Sequence, residues 1–250
     1  MIQNLPFHLI LFLLISCSGM PQRGKIKNYQ RNYKFTDISG HFILDFESGT
    51  TKENEVYTKH RLIGEGSNKE YERLVAISSV GSLHTGKYEI GVLRPKVSQY
   101  TVWFEKERYF SQIKIIPSKK ILEVYIKSPQ KKWNGLQRIP FQNSRGVFCF
   151  FHQIVDCVKI TGFLSKAIER QVGKMSLTII WEGFPFIKEQ YSGIDGPFST
   201  SVFSYEGRSK EGHFVFKLSL ADQVLSYHFN KEKQLEKKFW VSQGLTQEGL

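Results

Sequence analysis

The sequence predicts a mostly β protein: a single strongly curved antiparallel sheet, or an incomplete barrel, of about ten to twelve strands packed around one central helix. Three observations predict it. Apolar and polar residues alternate along most of the chain, the period of half-buried strands. The aromatic load is heavy, with 20 Phe, 11 Tyr and 4 Trp in 250 residues, and strands favour aromatic side chains. The alternating segments are joined by short polar connections, as in an antiparallel meander. One stretch, Arg145–Gly162, departs from the period and supplies the helix.

Taken in order, residues 1–16 contain no Lys, Arg, Asp or Glu, and Leu9–Ile15 is purely apolar. That run is too short to cross a bilayer, which needs about 20 apolar residues. A short apolar run followed by small residues has the shape of a secretory signal peptide. Leu14-Ile15-Ser16-Cys17 resembles the lipobox of bacterial lipoprotein precursors. The resemblance implies diacylglycerol on the Cys17 sulfur, cleavage before Cys17 and a mature chain that begins there. Ser18 in the next position implies, by similarity to enteric lipoproteins, an outer-membrane lipoprotein facing the periplasm. Residues 17–32 carry Arg23, Lys25, Lys27 and Arg31 with no acidic residue. They read as a flexible basic tether that can also contact anionic lipid.

Residues 33–245 read as a single β-rich domain, without internal repeat, low-complexity tract or linker. Phe42, Leu44 and Phe46 share one face of a strand. Val56–Ile63 and Tyr71–Ser79 follow. The intervening Gly64-Glu65-Gly66 lacks the third glycine and the strand–helix setting of a phosphate loop, and reads as a turn. Tyr100, Val102 and Phe104 alternate with Thr101, Trp103 and Glu105, and Tyr109–Ile116 and Ile121–Ile126 continue the meander. In Arg145–Gly162, Val147, Phe148, Phe151, Ile154, Val155 and Val158 fall three and four apart, which predicts a helix with one buried face. Beyond it, Ser176–Trp181, Phe186–Tyr191, Thr200–Tyr205, His213–Leu220, Val224–Phe229 and Leu235–Val241 are strand candidates.

Little in the sequence carries chemistry. Gly-x-Ser-x-Gly, His-Glu-x-x-His and Walker patterns are absent, so no enzyme activity and no cofactor are expected. Cys149, His152, Asp156 and Cys157 form a group of ligand-type residues within the helix. Zinc sites usually draw ligands from two segments, so no metal is expected, and packed thiols are the simpler reading. On a helix the two cysteines would stand about 12 Å apart, beyond the roughly 4.4–6.8 Å that a disulfide requires. An exported chain sits where disulfides form, and with Cys17 lipidated two cysteines remain. Helix and Cys149–Cys157 disulfide therefore exclude each other, and the apolar spacing favours the helix.

The formal net charge of +12 predicts attraction to anionic partners. Behind an export signal these are lipid head groups or acidic envelope polymers rather than nucleic acid. An exported β-rich lipoprotein with a plugging helix weakly resembles the half-barrel lipid carriers of the LolA/LolB type. That resemblance implies a membrane-anchored, non-enzymatic envelope protein with a concave apolar surface for lipid or another hydrophobic ligand. The candidate ligand-binding residues are Tyr100, Val102, Phe104, Phe151, Phe214 and Phe216. The alternative is a structural or adaptor lipoprotein that meets an anionic polymer or a partner protein through its basic surface.

The anchor is directly testable. The mature protein should partition into detergent and carry acyl mass on Cys17, because each buried methylene contributes about 0.8 kcal/mol. Cys17→Ser should release the chain or leave it unprocessed; a soluble wild-type protein with an unmodified N-terminus contradicts the lipobox reading.

Overall fold

A computed structural model describes residues 29–36, 41–67, 69–86, 88–131, 134–141, 146–187, 193–220, 223–240 and 245–248. Residues 1–28, which contain the expected signal peptide (1–16) and the expected lipidation site Cys17, lie outside the described residues. So does most of the basic tether, but its end does not. Gln30, Arg31 and Asn32 already belong to the first strand.

The described residues form two sheets rather than the single sheet expected. The first is an uninterrupted antiparallel meander of β1 (Gln30–Thr36), β2 (Phe42–Thr50), β3 (Glu55–Gly64), β4 (Glu70–Thr85), β5 (Tyr88–Phe104), β6 (Glu107–Ile116), β7 (Ile121–Lys127) and β8 (Gly135–Pro140). The second has β9 (Val147–Phe150), β10 (Lys174–Ile180), β11 (Phe198–Arg208), β12 (Phe214–Leu220), β13 (Gln223–Phe229), β14 (Leu235–Trp240) and β15 (Leu245–Glu248), again in chain order. Neither sheet closes on itself. β9 approaches β5, and β1 approaches β15, so the sheets meet at two places. Their inner faces contribute to one hydrophobic cluster, with Leu74, Ile113 and Leu122 from the first and Phe203, Phe216 and Leu225 from the second.

Alternation was a sound guide to strands and a poor one to partners. Phe214, Phe216, Leu218 and Leu220 are buried, as are Leu225, Tyr227 and Phe229 on the adjoining strand. In β5 the buried phase changes along the strand. Leu93 and Pro95 point inward before the change, and Ser98, Tyr100 and Val102 after it. The pairing with β4 slips at this point, where Ser78 faces Pro95 and Ile77 faces Val97. Lys96 is the extra residue of a bulge, which reverses the phase and accommodates a proline that cannot donate to the ladder.

The predicted helix over Arg145–Gly162 is corrected. Val147–Phe150 is strand β9, Phe151–Gln153 is a single tight turn, and only α1 (Ile154–Ile160) is α-helical. The apolar residues three and four apart came from two elements that both face the core. A second helix, α2 (Phe163–Arg170), follows directly, with Leu164, Ala167 and Ile168 buried. The single central helix is thus two short ones. Gly162, at φ 70°, occupies the left-handed conformation that separates them. Together they form the crossover that returns the chain so that β10 can lie parallel to β9. Phe186 lies in a turn following β10 and Ile187 is helical, so neither belongs to the expected strand, whose remaining residues lie outside the described ones.

Because the chain bends at Phe150, Cys149 and Cys157 come together after all. Their Cα atoms are 6.3 Å apart and the sulfurs are bonded. The exclusion between helix and disulfide held, but the disulfide was the correct branch. Gly91 on β5 lets the end of α1 dock closely, since a Cβ there would stand 2.9 Å from the Ile160 carbonyl oxygen.

A loop closed by cysteines eight positions apart contributes about 2.5 kcal/mol by restricting the unfolded chain. Cys149→Ala/Cys157→Ala, and reduction of the wild type, should lower the urea midpoint accordingly. Unchanged midpoints in both cases would show that the crossover is held by packing alone.

Candidate functional site

An apolar cleft opens where the two sheets face each other. Leu93 of β5 and Ile115 of β6 form one wall; Phe148 of β9, Ile180 of β10 and Phe198 of β11 form the other. Phe141, just beyond β8, bridges them, with its ring 6.1 Å from Phe148 and 5.9 Å from Phe198. Leu83 and exposed Arg94 also border the cleft. The Arg94 guanidinium donates a 2.6 Å hydrogen bond to the Ser82 carbonyl oxygen. The cavity volume is about 120 Å³, small beside the 300–1,000 Å³ of drug-sized pockets.

None of the six ligand-binding residues named from sequence lines this cleft. Tyr100, Val102, Phe151, Phe214 and Phe216 are buried in the shared core, and Phe104 is half-buried against it. Phe216 stacks with Phe203 at 5.3 Å, and Phe151 meets Trp181 at 4.6 Å. The cleft residues come from six strands, β4, β5, β6, β9, β10 and β11, and from Phe141 beyond β8. Phe148, Ile180 and Phe198 carried no local mark, because apolar strand residues look alike wherever they point.

A second constellation is polar and buried. On β3 the inward phase reads Val56, Thr58, His60, and on β4 Glu72, Leu74, Ala76, Ser78. Leu62 pairs with Glu72 and His60 with Leu74, so His60 and Glu72 are diagonal neighbours on one face. The Nε2 of His60 lies 3.3 Å from a Glu72 carboxylate oxygen. The turn before α1 adds His152, whose ring is 4.9 Å from that of His60. Glu182, wholly buried just beyond β10, accepts the backbone N–H of Phe151 at 3.1 Å and of His152 at 2.9 Å. Its Oε1 also lies 3.4 Å from His152 Nδ1. Both ring nitrogens of His60 are nevertheless buried without an aligned hydrogen bond, as is His152 Nδ1. Burial, reinforced by His152 and Lys238, holds His60 well below the usual imidazole range. Its ring is therefore neutral at pH 7. Burial also pulls the Lys238 ammonium down to about 8, while Glu182 works in the opposite direction. Lys238 Nζ rests 4.8 Å above the Phe151 ring.

The Cys149, His152, Asp156 and Cys157 group is separated by the fold. The cysteines bond to each other and His152 turns to Glu182. Asp156 accepts hydrogen bonds from Tyr29 at 2.7 Å and Ser48 at 2.9 Å, with Arg31 at 3.8 Å. That carboxylate ties the residues at the start of β1, and Ser48 of β2, to α1.

No protein-family model matches the chain, and no curated protein does. Among solved structures, it is similar to a β-barrel-like protein of a domain of unknown function, DUF1849, from Brucella abortus. That match has 9% identity and a TM-score of 0.43, and covers 90% of this chain and 96% of the other.

Lys238 generates a pH prediction. Below pH 8 it is charged folded and unfolded, and its burial cost is fully present. Between about 8 and 10.5 the unfolded chain binds more protons, so this group makes stability rise with pH. Lys238→Met has no such proton to release. Urea midpoints should therefore shift in favour of wild type across that window; parallel pH profiles for the two proteins refute the assignment.

Proposed function

We propose that the protein is a non-enzymatic, membrane-anchored envelope lipoprotein that holds a hydrophobic ligand in the cleft between its two sheets. The observation that carries this reading is the cleft itself: an apolar lining with the Arg94 cation at its edge. Such a site suits an acyl chain with an anionic head. The chain enters the cleft, burying about 25 cal/mol per Å², while the head stays in water near the guanidinium. The formal charge of +12 favours the same sign of ligand. The lipobox resemblance supplies the setting, since a Cys17 anchor would keep the cleft beside a source of acyl chains. The adaptor reading rests on the same charge but has no comparable structural feature of its own.

Displacement of a fluorescent fatty acid from the purified, delipidated full chain tests the proposal. Wild type should bind it saturably. Leu83→Trp, which fills the cleft from a half-buried position, should weaken binding tenfold or more without unfolding the protein. Arg94→Glu should weaken the fatty acid more than the fatty alcohol of equal length. Absence of binding to folded wild type, or equal binding to Leu83→Trp, removes the cleft as the site.

A further inference from the structure

The cleft does not account for the polar constellation on β3, β4 and the turn before α1. Three features there point to a missing partner. One ligand atom from each of His60, Glu72 and His152 lies within 4.8 Å of the other two. His60 is only 6% exposed, and neither of its nitrogens has an aligned hydrogen bond. An unmade bond on a buried polar group is costly, so the fold tolerates this imidazole against its own stability. Finally, the wholly buried Glu182 is fixed by two backbone N–H groups with its Oε1 beside His152 Nδ1. A carboxylate behind one nitrogen, leaving Nε2 to face outward from the pair, is how metal-ligating histidines are oriented.

We propose that His60, Glu72 and His152 bind one divalent transition-metal ion of the zinc class, with Glu182 positioning His152 behind it. Two imidazoles and one carboxylate form a borderline donor set that suits zinc better than the oxygen-seeking magnesium or calcium. The three ligands come from two strands of the first sheet and from the turn entering α1. The ion thus bridges the first sheet to the crossover of the second. Three protein ligands leave a fourth position, which water can fill. This site is separate from the apolar cleft, so either reading can fail alone.

The test uses the full chain carrying Cys17→Ser, so that no free thiol competes. It is stripped with chelator, checked for native circular dichroism, and titrated calorimetrically with Zn²⁺ and spectroscopically with Co²⁺. One equivalent should bind, and Zn²⁺ should raise the melting temperature. Glu72→Gln, nearly isosteric, and His152→Gln should each lower affinity at least tenfold. Glu182→Gln should lower it about 10–100-fold, the usual cost of removing an outer-shell partner. His213→Gln, at a half-buried histidine just before β12 of the second sheet that is paired with Glu211 and Glu236, should change nothing. The proposal is overturned if folded, stripped protein binds neither ion. It is also overturned if binding survives unchanged in folded Glu72→Gln and His152→Gln, or disappears in His213→Gln.

Discussion

The side-chain amide of Gln153 joins the two halves of the molecule. It is fully buried, in the turn between β9 and α1. Its Nε2 donates to the Val56 carbonyl oxygen at 3.2 Å and the Ala76 carbonyl oxygen at 3.3 Å, and its Oε1 accepts from the Ser78 hydroxyl. A residue of the second sheet's crossover thereby completes the hydrogen bonding of β3 and β4 in the first. Buried amides that meet their partners hold one geometry, because every alternative leaves several polar groups dry and unpaired. The neighbours of Gln153 inherit that precision. His152 lies beside His60 because Gln153 cannot move, and Glu182 secures the same turn from the other side through two backbone donors.

The disulfide and the Asp156 hydrogen bonds extend this constraint back onto strand β9 and forward into α1. Cys149 on β9 is bonded to Cys157 on α1, so the crossover cannot open at its base. Asp156, one residue before, draws in Tyr29 and Ser48 and lies near Arg31. Burial and the Asp156 charge push the Tyr29 hydroxyl far above its usual range, which keeps it a proton donor. Nine consecutive residues, 149–157, therefore hold the first sheet, the second sheet and the start of the described chain. They do so mostly through polar and covalent links, in a molecule whose remaining contacts are largely apolar.

This explains what the sequence disclosed and what it withheld. Strand content and phase were legible, since alternation in segments such as Phe214–Leu220 is a local property. The division into two sheets was not, because pairing is decided between distant residues: Leu177 of β10 pairs with Val147 through a parallel crossover and with Ser201 through a simple reversal. The helix over Arg145–Gly162 was overdrawn because a short strand and a short helix that bury the same side mimic one long amphipathic period. The polar constellation did leave a signal. His60 and Glu72 both occupy the inward phase of strands whose other inward residues are apolar or small. An ionisable residue on the buried phase is costly and calls for a partner. His152 and Glu182 could not be added to them without the fold, which brings together residues about ninety and thirty positions apart.

The two sheets differ in what they bury. β12 and β13 present Phe, Leu and Tyr to the core, ending with Gln223. The inward faces of β3 to β6 carry Thr58, His60, Glu72, Ser78, Ser98 and Ser111 among their apolar residues. The hydroxyls of Thr58, Ser98 and Ser111 are buried without a hydrogen-bond partner among the described residues. A sheet selected only to fill space would replace these with alanine or valine at little cost in volume and a gain in stability. The second sheet buries fewer polar side chains, Ser201, Ser204 and Gln223 among them, while in the first Ser78 alone of these hydroxyls is committed to the Gln153 link. His60 and Glu72 stand among the first sheet's buried polar residues on β3 and β4, facing the turn that Gln153 and Glu182 hold in place through buried hydrogen bonds.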